Sequence, residues 1–295
     1  MGAKLRDIQR RINGVESTQK ITKAMELISA SRIIRAERRV KEARPYAEKL
    51  TQVIRDLAAT TEKLEHPLLE QKDEGADAVL VVSADRGLAG AYNANVLRVA
   101  ERMRRDLGDN LAAYAIGRKA ISAYRFRRID MTAQWSGFSD TPRYENAQEV
   151  ATKLIEDYSE GRIRTAKLIY TKFESLMLQR PVAVDILPVK EEAVEGGREF
   201  SPLFEFEPEP TELLEFLLPL YVEVQIFQAL LEASASEHAA RRRAMAAATE
   251  NADELIQNLT RVMNQARQAE ITAEIADIVG GAEALRAKAE AGVST

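Results

Sequence analysis

Few side chains in this sequence could carry out chemistry, and they do not form a recognisable constellation. The chain has no cysteine and only two histidines, His66 and His238, which lie far apart and outside any metal-ligand spacing. Ser83 and Asp85 could belong to a hydrolytic site, but no histidine is near them in the sequence. No serine is flanked by the G-x-S-x-G pattern of a nucleophile elbow. We therefore predict no catalytic residue, no metal ligand and no bound cofactor.

The turn from Asp85 to Gly90 follows a short apolar run and precedes a helical pattern, which is how a nucleotide-binding unit begins. It contains neither G-x-G-x-x-G nor the G-K-[ST] ending of a P-loop, so no backbone cradle with a lysine for phosphate groups can be assigned. We interpret this segment as a structural turn or as a docking surface for another subunit, in preference to a nucleotide site.

Positive charge is concentrated between Met1 and Arg44, although the whole chain carries a net charge of −4. A solvated helix face explains such a pattern most simply, and a surface facing nucleic acid or an acidic protein partner are the two other interpretations. The stretch contains no aromatic residue on which a base could stack, which disfavours nucleic acid. We predict no nucleic-acid partner.

The longest element that the sequence predicts is a C-terminal helix. After Pro219 the chain contains no proline and no glycine until Gly280, and from Leu213 to Val279 apolar residues recur about every 3.5 residues. A stripe of this period supercoils around a partner helix, whereas an ordinary amphipathic helix on a core is the alternative. Three polar residues interrupt the stripe: Ser234, His238 and Arg241.

An N-terminal helix offers the partner for this stripe. Nothing between Asn13-Gly14 and Pro45 would end a helix, and the proline itself is expected only to kink it. We predict an antiparallel coiled coil between residues 1–70 and 213–290, which would form a rod with a globular base. Its N-terminal apolar positions are Leu5, Ile8, Ile12, Val15, Ile21, Met25, Ile28, Leu50, Val53, Leu57 and Leu64.

Strand and helix patterns alternate in the middle of the chain, between residues 77 and 190. This alternation predicts a Rossmann-like α/β domain with a largely parallel sheet, so that the whole chain is a composite α+β fold. The acidic segment 191–212 contains glycine and proline and is predicted to be an exposed connection. Because no uninterrupted apolar run of about eighteen residues and no apolar signal core occur, we expect the chain to stay in the compartment where it is made.

Four segments resemble the gamma subunit family of F-type ATP synthases, and they occur in the family's order over nearly the whole chain. These segments are Thr18 to Glu26, Asp85 to Gly90, Ala246 to Ala252 and Asn264 to Thr272. Ala89 stands where bacterial relatives often carry cysteine, and the cysteine-bearing insert of the chloroplast form is missing. The resemblance therefore implies a form without redox gating.

The resemblance implies a central-stalk rotor subunit that transmits torque and does no catalysis of its own. It implies that the coiled coil enters a hexamer of alternating alpha and beta subunits, while the α/β base rests on the membrane ring of c subunits beside epsilon. It further implies one copy per complex, with delta in the same complex. The location would be the cytoplasmic face of the bacterial plasma membrane, with attachment through the c-ring.

Contact residues also follow from the resemblance. Arg267 and Gln268 match positions that make polar contacts with beta, and Met25 matches a position among basic residues that face an acidic beta loop. The full set expected at the alpha/beta hexamer is Lys20, Lys23, Met25, Arg241, Arg267, Gln268, Ile271, Thr272, Ile275, Ile278 and Val279. The set expected at epsilon or the c-ring is Phe204, Phe206 and Glu207.

The three polar interruptions of the C-terminal stripe allow several interpretations. They could fix the register of the coiled coil, or they could mark the point where the two helices splay apart. Our hypothesis is that His238 and Arg241 face partner proteins rather than the apolar seam.

Overall fold

The computed structural model describes residues 3–60, 66–189 and 210–292. Two long helices begin and end this part of the chain, α1 (Ala3–Thr60) and α5 (Pro210–Gly292). Between them lie five strands and three shorter helices. In chain order these are β1 (Ala76–Val82), α2 (Tyr92–Leu107), β2 (Leu111–Ile116), α3 (Arg118–Phe126), β3 (Met131–Trp135), α4 (Tyr144–Ser159), β4 (Ile163–Phe173) and β5 (Gln179–Leu187).

Both long helices continue through residues that usually weaken a helix. Pro45 lies inside α1, and α5 contains Pro219 as well as Gly280. An internal proline removes one backbone hydrogen bond, so these helices depend on tertiary packing more than on intrinsic propensity.

The five strands form one sheet in the order β3-β2-β1-β4-β5. Strands β1 to β4 are parallel to one another, and β5 pairs antiparallel with β4 at the edge. The central strand β1 is buried from Asp77 to Val82, as expected for a parallel strand that is covered on both faces. The predicted Rossmann-like α/β domain with a largely parallel sheet is confirmed.

Different helices cover the two faces of the sheet, and they pack against it through apolar residues. One face packs against α2 and α3 through Val96, Ala100 and Tyr124. The other face packs against α4 and against parts of α1 and α5, with Leu57 and Leu218 fully buried. The long helices are therefore part of the core of the α/β domain.

The described chain divides into two compact units, and α1 and α5 contribute residues to both. The first comprises residues 1–26 and 245–295, and the second comprises residues 27–244. In the first unit Thr22 and Thr249 are joined by a hydroxyl hydrogen bond of 2.8 Å, and Gln19 donates to Asp253. In the second unit Ile33 and Ala36 lie in one cluster with Leu231, Ala235 and Ala239. In each unit the two helices run antiparallel, as predicted.

The predicted seam of α1 is wrong in its middle part. Ile21 and Ile28 are 58% and 53% exposed, and Val53 is 41% exposed, whereas Thr22 and Ser29 are buried. Buried and half-buried residues together alternate in steps of three and four along the helix, and the series passes through hydroxyl side chains where the apolar residues fall out of register. Its buried members are Leu5, Ile8, Ile12, Thr22, Ser29, Ile33, Ala36, Val40, Ala47, Leu50, Ile54 and Leu57.

The predicted seam of α5 is buried or half-buried from Val224 to Ala252, and several of its positions are exposed beyond it. Leu255 and Val262 are 47% and 46% exposed. Length and hydropathy alone would allow α5 to cross a membrane. However, Leu214 and its neighbours on the same face pack into the α/β core, which is typical of the core helix of a globular domain.

Candidate functional site at the sheet edge and the exposed helix end

The carboxyl ends of β1 and β4 border the crevice in which doubly wound sheets usually bind their ligands, because the strand order reverses there. In this chain α5 fills the crevice. Every residue from Leu231 to Ala239 is buried, so about two and a half turns of helix are enclosed on all sides. The void left beside Ser83, Tyr92 and Glu237 measures about 10 Å³ and cannot hold a nucleotide.

Hydrogen bonds join α5 to the strands and turns at this edge. Ser236 Oγ donates to the carbonyl oxygen of Thr171 on β4 at 3.0 Å, and the hydroxyl of Tyr92 donates to the carbonyl oxygen of Ala233 at 3.2 Å. Arg241 donates through Nε and Nη2 to the carbonyl oxygen of Gly87, at 3.3 Å each. The helix is thereby attached to β4, to the turn after β1 and to the start of α2.

A second group of contacts surrounds Asp140, in the loop between β3 and α4. Its carbonyl oxygen accepts from Ser234 Oγ at 3.0 Å and lies 3.2 Å from His238 Nε2. Its carboxylate forms an ion pair with Arg32 of α1 and lies 3.6 Å from Arg86 Nη1. The loop therefore contacts both long helices, and its carboxylate is surrounded by cationic groups.

Ser83 and Asp85, which we considered for hydrolytic chemistry, are structural. Ser83 Oγ donates to the carbonyl oxygen of Ile116 at 3.0 Å and accepts from the backbone N–H of Ala120 at 2.8 Å. Asp85 Oδ2 accepts from the backbone N–H groups of Gly137 and Ser139, at 2.8 and 3.0 Å. Through these hydrogen bonds both side chains connect neighbouring turns of the domain.

The two histidines are also used locally. Nδ1 of His66 accepts from the backbone N–H of Leu68 at 3.0 Å and so shapes the turn before β1. His238 is 2% exposed, and burial lowers the pKa of its imidazole below the ordinary value. A lowered pKa keeps this ring neutral near neutral pH, as expected of an imidazole beside the cations Arg32 and Arg241.

Glu237 and Arg241 form a buried ion pair within α5, with 2.5 Å between Oε1 and Nη2. Burial raises the pKa of the Glu237 carboxyl, and the neighbouring guanidinium of Arg241 opposes that shift. The hypothesis that His238 and Arg241 face partner proteins is wrong: Arg241 is 6% exposed and binds within the chain. The polar side chains interrupt the apolar stripe because a loop and a turn of the α/β domain contact them there.

The exposed end of α5 belongs to the first unit. From Ile271 to Glu283 every side chain is exposed, and Ile278 is 71% exposed. Thr272 Oγ1 donates to the carbonyl oxygen of Gln268 at 2.9 Å, within the helix. The other large apolar side chains of this end are Ile271, Ile275 and Val279, at 46%, 56% and 55% exposure.

The other predicted contact residues have various environments. Lys20, Arg267 and Gln268 are exposed, and Lys23 lies 3.0 Å from Glu26 on α1. Met25 is half-buried. The residues predicted to contact epsilon or the c-ring lie outside the described part of the chain: Phe204, Phe206 and Glu207.

Sequence reasoning missed most of the contacts at the sheet edge. Tyr92, Asp140 and Ser236 did not stand out, because each is an ordinary residue whose partner is distant in sequence. One signal was available: polar residues occur on several faces of α5 around residues 234–241, which is unusual for a helix that packs through a single stripe.

Comparison with known proteins gives matches over nearly the whole chain. The ATP synthase family profile matches residues 4–285. An ATP synthase gamma chain from Kineococcus radiotolerans is 47% identical over 97% of this chain and 98% of its own length. The gamma chain from Acidothermus cellulolyticus is 48% identical over the same shares of the two chains.

Solved structures show the same fold at lower identity. A chain of the Euglena gracilis mitochondrial ATP synthase, from a structure of its OSCP, F1 and c-ring, superposes with a TM-score of 0.71 at 18% identity. That superposition covers 97% of this chain and 96% of the other. A chain from the rotor of the same enzyme gives a TM-score of 0.67 at 18% identity, over 92% and 100% of the two chains.

Proposed function

Because this chain belongs to the family of ATP synthase gamma chains, we propose that it is the central shaft of a proton-translocating ATP synthase. The shaft has no active site of its own. It carries torque between a membrane ring of c subunits and a catalytic hexamer of alternating alpha and beta subunits. Epsilon lies beside its α/β domain, delta belongs to the same complex, and the complex holds one copy of the chain at the cytoplasmic face of a bacterial plasma membrane.

The observation that carries this proposal is the likeness to gamma chains, at 47–48% identity over 97% of this chain. The likeness extends over both long helices and the α/β domain, so it concerns the complete described architecture. A match restricted to the α/β domain would have left a nucleotide-dependent enzyme open as the alternative. The crevice that such an enzyme would need is filled by α5.

A central shaft can control the catalytic sites around it because its surface differs from one side to the other. One asymmetric chain inside a three-fold hexamer presents a different surface to each catalytic site, so the sites hold nucleotide with different affinities, and rotation exchanges them. Apolar contacts suit a turning surface, because they have no preferred direction and can form again at each angle. The exposed Ile275 and Ile278 would supply such contacts.

Residues for the hexamer contact follow from the same proposal. Their exposure supports this role for all but one of them, since Met25 is half-buried. Arg241 is left out because its guanidinium binds Gly87 and Glu237 within the chain. The proposed hexamer residues are Lys20, Lys23, Met25, Arg267, Gln268, Ile271, Thr272, Ile275, Ile278 and Val279; Phe204, Phe206 and Glu207 are proposed for epsilon or the c-ring.

Reconstitution tests the proposal. We expect rotation-coupled ATP hydrolysis to appear only when the chain is combined with the alpha and beta subunits of its own organism, and the isolated chain to have no ATPase activity. Nucleotide binding by the isolated chain in calorimetry would favour the enzyme alternative. A defined homodimer in light scattering would favour a coiled-coil scaffold, and either result together with failed reconstitution would overturn the shaft.

A further inference from the structure

The crevice at the carboxyl edge of the sheet holds a helix of the same chain in place of a ligand. Turns that bind phosphate or ribose in other doubly wound domains here contact the backbone and side chains of α5. This part of α5 is also the part enclosed on all sides. The α/β domain packs against a longer stretch of α5, from Leu214 onward, and at residues 233–241 three of its elements also hold the helix by hydrogen bonds.

We propose that this grip is the joint through which torque passes between the α/β domain and α5, an inference that rests on the proposed shaft function. The joint consists of three anchors of different origin. The hydroxyl of Tyr92 donates to the carbonyl oxygen of Ala233. The hydroxyl of Ser236 donates to the carbonyl oxygen of Thr171, and the guanidinium of Arg241 donates to the carbonyl oxygen of Gly87. Ser234 and His238 also contact the carbonyl oxygen of Asp140, so the loop between β3 and α4 holds the helix from a further side.

The positions of these anchors around the helix explain why they resist turning. At about 100° per residue, positions 233, 234, 236, 238 and 241 spread over roughly 200° of the helix circumference. A cylinder that is held over more than half of its circumference cannot roll against the sheet without breaking several anchors together. Apolar packing alone resists rolling less, because it lacks directional contacts.

The chemistry of the joint supports a mechanical role in preference to a purely stabilising one. Glu237 and Arg241 are 1% and 7% exposed at their side chains, and a buried ion pair often adds little stability compared with apolar residues of the same volume. The pair does, however, fix the direction of the Arg241 side chain towards the turn at Gly87. Glu237 is thus a positioning residue for the joint, because it acts through the direction of Arg241.

Thermal fluctuation of the rotor measures the joint directly. The chain has no cysteine, so Phe126→Cys, at an 89% exposed position of α3, gives its only thiol for attaching a bead to the α/β domain. In a surface-fixed complex with alpha and beta subunits, stopped in the inhibited ADP state, the angular variance of the bead reports the torsional compliance of the shaft. We expect the variance to at least double in the combined variant Tyr92→Phe, Ser236→Ala and Arg241→Met.

A matched control separates the joint from the general loss of a buried hydroxyl. Tyr158→Phe removes a hydroxyl that donates to the carbonyl oxygen of Glu70 at 2.5 Å and takes no part in the proposed joint. We expect this control to keep the variance of the parent complex. The melting temperature of each isolated variant is measured beside the variance, because a joint variant that stays folded and turns more loosely shows a mechanical effect that a stability defect would not.

The outcomes of this experiment distinguish a failure of the joint from a failure of the shaft proposal. An unchanged variance in the combined variant overturns the joint while leaving the shaft proposal intact. If the parent complex itself shows no rotation, the shaft proposal fails first. If the combined variant does not assemble, the double variant Tyr92→Phe and Ser236→Ala gives the result, since it removes only two hydroxyl groups, and an unchanged variance there also overturns the joint.

Discussion

His238 shows how a single buried side chain makes the stability of this chain depend on pH. Its folded pKa is lowered from 6.5, chiefly by burial, and the charges facing it are Asp140 together with Arg32 and Arg241. A group that binds protons less tightly when folded contributes stability that is fully present above the unfolded pKa. That stability is lost as the pH falls through the folded pKa.

We expect the melting temperature of the isolated chain to fall between pH 7 and pH 5, and to fall less in His238→Gln. Glu237, with a raised pKa, acts in the opposite direction, so the difference between parent and variant isolates the histidine. Burial also lowers the pKa of His66, so this second histidine contributes to the pH dependence in the same direction. The variant His66→Gln measures that contribution separately from the contribution of His238. An NMR titration that gave His238 a pKa at or above 6.5 would contradict the prediction.

At the residue scale, the sequence predicted the position of the polar interruptions but not their role. Ser234, His238 and Arg241 were visible as breaks in an apolar stripe. Their partners, Asp140 and Gly87, come from loops about a hundred and more residues away in the chain. Spacing along one helix carries no information about such loops, so the side chains were assigned to partner proteins when they bind within the chain.

At the scale of the element, periodicity predicted the existence and direction of both long helices but lost the register of α1. The buried series passes through Thr22 and Ser29, whereas the apolar Ile21 and Ile28 lie on the exposed side. Apolar periodicity locates a helix interface from its apolar residues alone. This interface is partly polar, because Thr22 is hydrogen-bonded to Thr249. The short strands were easier to locate, because buried β-branched runs between turns have few alternatives.

Gly14 offers a test of how marginal the N-terminal part of α1 is. A Cβ at this position meets nothing within 4 Å, so Gly14→Ala should stabilise the helix by about 0.5–1 kcal/mol. We expect slower native-state hydrogen exchange at amides near this position. Gly117→Ala is the opposing control: its φ is 91° and a Cβ would lie 2.2 Å from the carbonyl oxygen of Ser83, so this variant should be destabilised. Faster exchange near residue 14 in Gly14→Ala would show that the helix there is bent or locally open.

At the scale of the whole molecule, the end of α5 presents an apolar surface that the described part of the chain does not cover. Ile271, Ile275 and Ile278 are exposed at the end of α5, and Glu274 and Asp277 alternate with them. A lipid surface would disfavour the acidic residues, whereas a protein collar can leave them in water while it contacts the isoleucines. The family likeness and this surface therefore agree on a protein partner.

The double variant Ile275→Gln and Ile278→Gln tests that agreement. Because both side chains are exposed, the isolated chain should keep its unfolding free energy within about 0.5 kcal/mol. Loss of two buried apolar contacts in the complex should cost roughly 1–3 kcal/mol, which weakens binding to the alpha/beta hexamer about 5- to 150-fold. Glu274→Gln with Asp277→Asn is the control from the same turns and should bind as the parent does, measured by titrating labelled chain with the hexamer. Equal affinity of the isoleucine variant would mean that this end of α5 meets no apolar collar, and the turning contact would have to be sought elsewhere along the helix pair.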